Sequence, residues 1–153
     1  MEGIERFIKD HPFFAGLDES FVELLAGCAK NARFEAGEFI LEEGGPADHF
    51  YLIRHGKAAL QLHAPGGALT VQTLGEGDVA GVSWLFAPYR WSYDVKAIEP
   101  VVALAMDAKC LRDKCEADHS LGYELMKRFV PVLTQRLQAT RLQLLDIYGA
   151  PNE

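Results

Sequence analysis

Apolar and polar positions fall into three textures along this chain, and each texture predicts its own elements. In the first thirty residues the spacing is helical. Ile4, Phe7 and Ile8 form a short apolar face that His11-Pro12 interrupts. Asp18 then stands as an N-cap ahead of Phe21-Val22-Glu23-Leu24-Leu25-Ala26, an amphipathic helix ending near Gly27 to Lys30. From Arg33 to about Asp107 short apolar runs are punctuated by glycine. Phe34, Phe39-Ile40-Leu41 and Phe50-Tyr51-Leu52-Ile53 are strand candidates, with turns at Gly37, Gly44-Gly45-Pro46, Gly56, Gly66-Gly67 and Gly75-Glu76-Gly77. Ala58, Leu60 and Leu62 alternate with Ala59, Gln61 and His63. Leu69, Val71 and Thr73 alternate in the same way, and Pro65-Gly66-Gly67 joins the two runs as a hairpin. Short strands in regular succession predict a sandwich or barrel.

After Asp107 the helical period returns. Ala108 to Glu116 form a short helix, and Asp118-His119-Ser120 opens a long one. In that helix Met126, Val130, Leu133, Leu137, Thr140, Leu144 and Ile147 recur at alternating steps of four and three, the seam of a coiled coil. Such a seam favours self-association over packing back on the barrel, and the interface expected from it is Val130, Leu133, Leu137, Thr140, Leu144 and Ile147. Pro131 should kink the helix, so that 118–130 packs on the barrel and 132–148 projects towards a partner. Lys127, Arg128, Arg136 and Arg141 are expected on outer, solvated faces.

Composition narrows the function classes. At 153 residues and 49% hydrophobic, the chain has material for one domain with its own core. A net charge of -7 argues against a nucleic-acid partner, which needs a clustered basic face. No apolar run reaches the length of a membrane span and no signal peptide opens the chain, so a cytoplasmic protein is expected. Three cysteines, an odd number in a reducing compartment, then read as free thiols. Cys110, Cys115 and His119 are spaced C-x4-C-x3-H, without a fourth ligand nearby. On a helix the two thiols lie about 140° apart, so no metal site is expected. No nucleophile elbow, paired ligand set or Walker loop is present, and an enzyme is not expected.

The segments HPFFAGL at 11–17, FEAGEFILEEGGPADHFYLIRHGKAAL at 34–60, GEGDVAG at 75–81 and DVKAIEPVVALAMD at 94–107 together resemble the cyclic nucleotide-binding domain, nearest to its form in bacterial catabolite-activator-type regulators. The resemblance implies a mainly β fold with flanking helices: a double-stranded β-helix, or jelly-roll, barrel with a long C-terminal dimerisation helix. The chain then divides into N-terminal helices (1–30), β-barrel (31–107) and C-terminal helices (108–150) of a single domain, 1–153. Regulators of this family carry a helix-turn-helix module after the long helix. The sequence stops at Glu153, so direct operator binding is not expected.

In the family, the loop after the Gly-Asp step holds the cyclic phosphate on backbone amides and an arginine, while a glutamate accepts from the ribose hydroxyl. Aligning Gly81 and Val95 on the family pattern places Val82 at the glutamate position and Trp91 at the arginine position. Arg90 is one residue out of phase and should point away. Without the arginine a desolvated phosphate loses several kcal/mol of compensation, and the ribose contact is worth roughly 1.5–3 kcal/mol more. Micromolar binding amounts to only about 8 kcal/mol. High-affinity capture of cAMP or cGMP in the family's way is therefore not expected. The ligand-contacting set is Gly81, Val82, Ser83, Trp84, Arg90, Trp91 and Ser92, with the two indoles filling the site or walling it for something apolar or planar.

The resulting expectation is a non-enzymatic sensor or regulatory domain, homodimeric through its long helix. No cofactor is assigned, and a nucleotide-like or other small molecule is the ligand. Two alternatives accompany it. One is a ligand-free protein-interaction module, its pocket plugged by the two indoles, that works through its dimer helix and the Tyr89–Tyr93 loop. The other is a haem- or redox-linked sensor acting through Cys110, Cys115, His119 or a pocket histidine.

Overall fold

A computed structural model describes residues 2–148. It opens with α1 (Glu2–Asp10), a 3-10 turn at Pro12–Phe14 and α2 (Glu19–Ala26). Asp18 caps α2 as expected, its carboxylate accepting from the Ser20 amide. α2 stops at Ala26, and the residues expected to finish the helix instead enter β1 (Ala29–Phe34). β1 pairs antiparallel with β8 (Val101–Asp107) in a register running from Ala29–Met106 to Phe34–Val101. Long-range pairing has overridden the local helical preference there.

Between them lie β2 (Phe39–Leu41), β3 (His49–His55), β4 (Ala58–Ala64), β5 (Gly67–Leu74), β6 (Val79–Ala80) and β7 (Asp94–Ala97). Among the described residues these strands form two four-stranded sheets, ordered β1-β8-β3-β6 and β2-β7-β4-β5. The jelly-roll architecture is present. The β4–β5 hairpin closes where the Pro-Gly signal places it, with Ala64 opposite Gly67. Gly56, between β3 and β4, has φ +95 and packs so closely on Pro100 that a Cβ would collide with the Pro100 carbonyl. That position admits only glycine.

The core includes Phe50, Leu52, Ile53, Leu104 and Met106, all fully buried. α3 (Ala108–Ala117) and α4 (His119–Tyr148) follow β8. α4 lays Leu121, Leu125 and Phe129 on the barrel, and Phe129 meets Phe13 edge-on with ring centroids 4.9 Å apart. Pro131 lies inside a continuous helix, on its exposed side. Contrary to the expected division at this proline, Val132, Arg136 and Ala139 still pack against the barrel beyond it. A proline facing solvent leaves the unpaired carbonyl one turn back open to water, so the helix tolerates it.

Two further expectations are corrected. Arg136 is not on a solvated face: it is 8% exposed and reaches under β6. Nor are all the cysteines thiols. Cys28 and Cys110 form a disulfide with Cα atoms 5.7 Å apart, leaving Cys115 free. The pairing of β1 with β8 explains this, because it brings the residue before one strand and the residues after the other to the same end of the sheet.

Candidate functional site

The loop from Gly81 to Tyr93 is built from both of its flanks. β6 delivers Gly81 with φ +102, a left-handed conformation that glycine adopts freely. A 3-10 turn at Ser83–Leu85 follows, and the chain returns through residues 86–93 to β7. The return stretch is fastened to the turn at 44–47 by backbone bonds: the Trp91 amide donates to the Gly45 carbonyl (3.0 Å), Gly44 to the Trp91 carbonyl (2.9 Å), and Ala47 to the Tyr89 carbonyl (2.8 Å). This short ladder sets which side chains face inward.

Trp91 faces inward and is 7% exposed. Its indole lies directly on Gly81: a Cβ placed on that glycine would meet Trp91 Cη2 and Cζ3 at 2.7 Å. The space over the glycine, where a phosphate loop would hold its ligand, is thus occupied by the protein's own ring. Arg90 faces outward, exposed, its Nη1 donating to the Gly44 carbonyl at 3.3 Å. The alternation expected for adjacent strand-like positions places it there. Val82 and Ser83 are buried and Ser92 is exposed.

Trp84 belongs to the core. It is 0% exposed, stacks on Phe50 at 4.9 Å and 20°, and meets Phe129 edge-on at 5.6 Å. It therefore joins the loop's 3-10 turn to β3 and to α4 in one aromatic cluster.

Two arginines tie the loop to the C-terminal helices, and neither was legible as a site residue. Arg112 of α3 donates from Nη1 to the Trp84 carbonyl at 2.7 Å, and its guanidinium lies 4.2 Å from the Tyr89 ring centroid. That stacking, with the Ala47–Tyr89 bond, holds Tyr89 at φ +56, a conformation costly for a bulky residue. Arg136 of α4 donates to the Val79 carbonyl just before Gly81 and to the Tyr93 hydroxyl (3.0 Å) just after Trp91. Its Nε has no partner among the described residues.

The first polar group after the loop is a carboxylate. Asp94 is buried, accepting from the Glu43 amide at 2.7 Å and sharing a 2.9 Å contact with Nε2 of the exposed His63. The hydrogen bond that His63 donates to Asp94, aided by the charges of Asp94 and Glu43, raises the pKa of His63 above the ordinary histidine value. Burial lowers that of His11, against a smaller opposing effect of Asp78. Proton titration followed by NMR should show the two histidines moving in opposite directions. The His63 value should fall back in Asp94→Asn, and an unmoved His63 resonance would rule the pair out. Because the folded state binds the His63 proton more tightly, the pair stabilises the fold below the ordinary histidine pKa. That contribution fades as pH rises through the raised value.

Beside Trp91 opens a cavity of about 270 Å³ lined by Leu41, Glu42, Pro46, His49 and Tyr51. Burial, then the Asp48 charge, raises the Tyr51 pKa, so its hydroxyl keeps its proton at neutral pH. Among the described residues no cluster of His, Cys, Asp and Glu is arranged to hold a metal, and no helix is long and apolar enough to cross a membrane.

Residues 32–118 match the family model of the cyclic nucleotide-binding domain. The chain is 30% identical over 135 residues to a CRP-like cAMP-activated global transcriptional regulator of Mycobacterium tuberculosis, covering 88% of this chain and 58% of that protein. It therefore spans little more than half the length of that relative. Among solved structures, a protein of Geobacter metallireducens GS-15 assigned to the cyclic nucleotide-binding class superposes with TM-score 0.79 at 28% identity, over 90% of this chain and 99% of that one. The regulatory subunit of a cAMP-independent protein kinase A from Trypanosoma cruzi, bound to guanosine, superposes with TM-score 0.74 at 22% identity. That match covers 97% of this chain and 50% of the other, and shows the fold alone.

Proposed function

The chain belongs to the cyclic nucleotide-binding domain family, and on that premise we propose that it is a non-enzymatic regulatory domain whose phosphate loop is closed by its own Trp91. The observation carrying this reading is the indole seated on Gly81. A cyclic phosphate entering there must expel a buried aromatic ring, and it finds no arginine in return: Arg90 is turned to the surface and Trp91 holds the inward position.

Output runs through α4. Met126, Val130, Leu133, Leu137 and Thr140 are exposed along one face at coiled-coil spacing, Leu137 at 54%, while Leu121, Leu125 and Phe129 occupy the barrel-facing side. A second copy of this chain is the occupant that such a seam fits. The Leu144 and Ile147 side chains lie outside the described residues. Replacing Leu133 and Leu137 by lysine should convert a dimer to a monomer in sedimentation without loss of helicity. An unchanged mass would refute the assignment.

A second reading keeps a ligand of another kind. The cavity beside Trp91 sets the rings of Tyr51 and Trp91 among the polar groups Glu42, Asp48 and His49, which suits a planar, uncharged molecule that can hydrogen-bond, and the T. cruzi relative in fold holds a nucleoside without phosphate. Titration of tryptophan fluorescence with cAMP, cGMP and guanosine separates the two. A flat response to all three agrees with the self-closed loop, a guanosine response alone selects the second reading, and a micromolar response to cAMP overturns both.

A further inference from the structure

We propose that Cys28 and Cys110 form a reversible redox modification site that controls the hold of α3 on the loop and on α4. This does not depend on what the loop binds. Cys28 lies in the turn between α2 and β1, and Cys110 in the first turn of α3, 82 residues later. The rest of that junction is held by hydrogen bonds. Asp107 donates to the Cys28 carbonyl (2.8 Å), Ala108 to the Asp48 carbonyl (2.9 Å), and the Asp107 carboxylate caps α3 on the Cys110 amide (2.9 Å). The disulfide is the covalent member of this set.

Three residues of α3 within one and a half turns face three different parts of the molecule. Cys110 is bonded to the α2–β1 corner. Arg112 holds the Trp84 carbonyl and stacks on Tyr89, both in the loop. Cys115 packs against Gly122 of α4, where an added Cβ would lie 3.4 Å from its own. A change at Cys110 therefore moves the helix that braces the loop and abuts the dimerisation helix.

The bond is within reach of a small thiol. It borders an open cavity of about 190 Å³ lined by Gly27, Ala29, Lys30, His49 and Asp107 together with both cysteines. Cys110 is half-buried while Cys28 is 6% exposed, so Sγ of Cys110 is the atom an incoming thiolate attacks. In that step the Cys110–Cys28 bond breaks, a mixed disulfide forms on Cys110, and Cys28 leaves as a thiolate and takes up a proton. A second glutathione thiolate then attacks the glutathione sulfur of the mixed disulfide. It releases Cys110 as a thiolate, which is also protonated, and forms oxidised glutathione. Two electrons pass from the two glutathione thiols to the protein, and oxidised glutathione reverses the sequence. Cys115 does not compete: burial, with Glu116 and Asp118 beside it, keeps its thiol protonated.

The experiment equilibrates the full chain in glutathione buffers from oxidising to reducing, then alkylates and weighs it. The free thiol count should rise from one to three through a single two-electron transition. Across that transition, amide exchange over residues 107–115 should quicken by roughly tenfold or more as local opening becomes easier, and the emission of Trp84 should change. Cys110→Ser should show the reduced exchange and emission at every poise, and Cys115→Ser should keep the parent's transition with one thiol fewer at each end. Three alkylatable thiols after equilibration with oxidised glutathione would overturn the proposal. So would a reduction that leaves exchange and emission unchanged, since the bond would then be a staple only.

Discussion

Replacing Val82 by glutamate and Trp91 by arginine in the same chain should give a cAMP affinity well above that of the parent. The two changes supply the anchors that the family's loop uses, at positions where backbone geometry is already present: Gly81 at φ +102 and a return strand clamped to Gly44–Ala47. Each restored charge-assisted bond is worth roughly 1.5–3 kcal/mol, so affinity should rise by about 10² to 10⁴ over the parent. The cost falls on the unliganded protein. Removing a buried indole should lower its stability by about 3–5 kcal/mol, and it leaves an arginine buried without a partner. cAMP at a hundred times its dissociation constant should then return about 2.7 kcal/mol. The variant should be visibly stabilised by cAMP, and the parent is expected to show no such stabilisation. Trp84 becomes the remaining tryptophan of the two, so its fluorescence reports binding without ambiguity, and calorimetry gives the affinity. A folded double variant that ignores cAMP would show that Trp91 does not stand at the arginine position.

The second large effect is expected at Trp84. Trp84→Ala should cost about 3–5 kcal/mol, a large part of the 5–15 kcal/mol that holds a typical domain together. The ring is fully buried between Phe50 and Phe129, so its loss removes the contact joining loop, barrel and α4. Trp84→Phe should cost far less, because the indole Nε1 has no partner among the described residues and no hydrogen bond is lost with it. Urea denaturation of the parent and the two variants measures both values. Near-equal losses for Ala and Phe would mean that something other than aromatic packing is at stake.

These two tryptophans mark where sequence reading stops. Both stand in the same loop, and both were grouped as ligand-contacting residues. One is a core residue and the other closes the loop. Nothing in their local spacing separates them, because the difference is made by Phe50 and Phe129 on one side and Gly81 on the other. Arg136 is a similar case. Helical periodicity gives its angle around α4, but whether that angle faces water depends on how far the barrel follows the helix, and here it follows past Pro131 to Ala139. Asp94 gave no signal at all, since a buried carboxylate is recognised by the Glu43 amide and His63 that satisfy it.

What the sequence determined by itself was periodic or local: the succession of helices and short strands, the cap at Asp18, the glycine turns, the hairpin at Pro65-Gly66 and the spacing of the α4 seam. These follow from the repeat of each element and from the conformations that glycine and proline permit. What only the tertiary structure decided joins residues distant in the chain. The disulfide depends on antiparallel pairing of β1 with β8, the closure of the loop on the meeting of Trp91 with Gly81, and the bracing of that loop on arginines from two later helices. No local period encodes such meetings. They exist once two sheets and a long helix have packed, and the loop's chemistry depends on them.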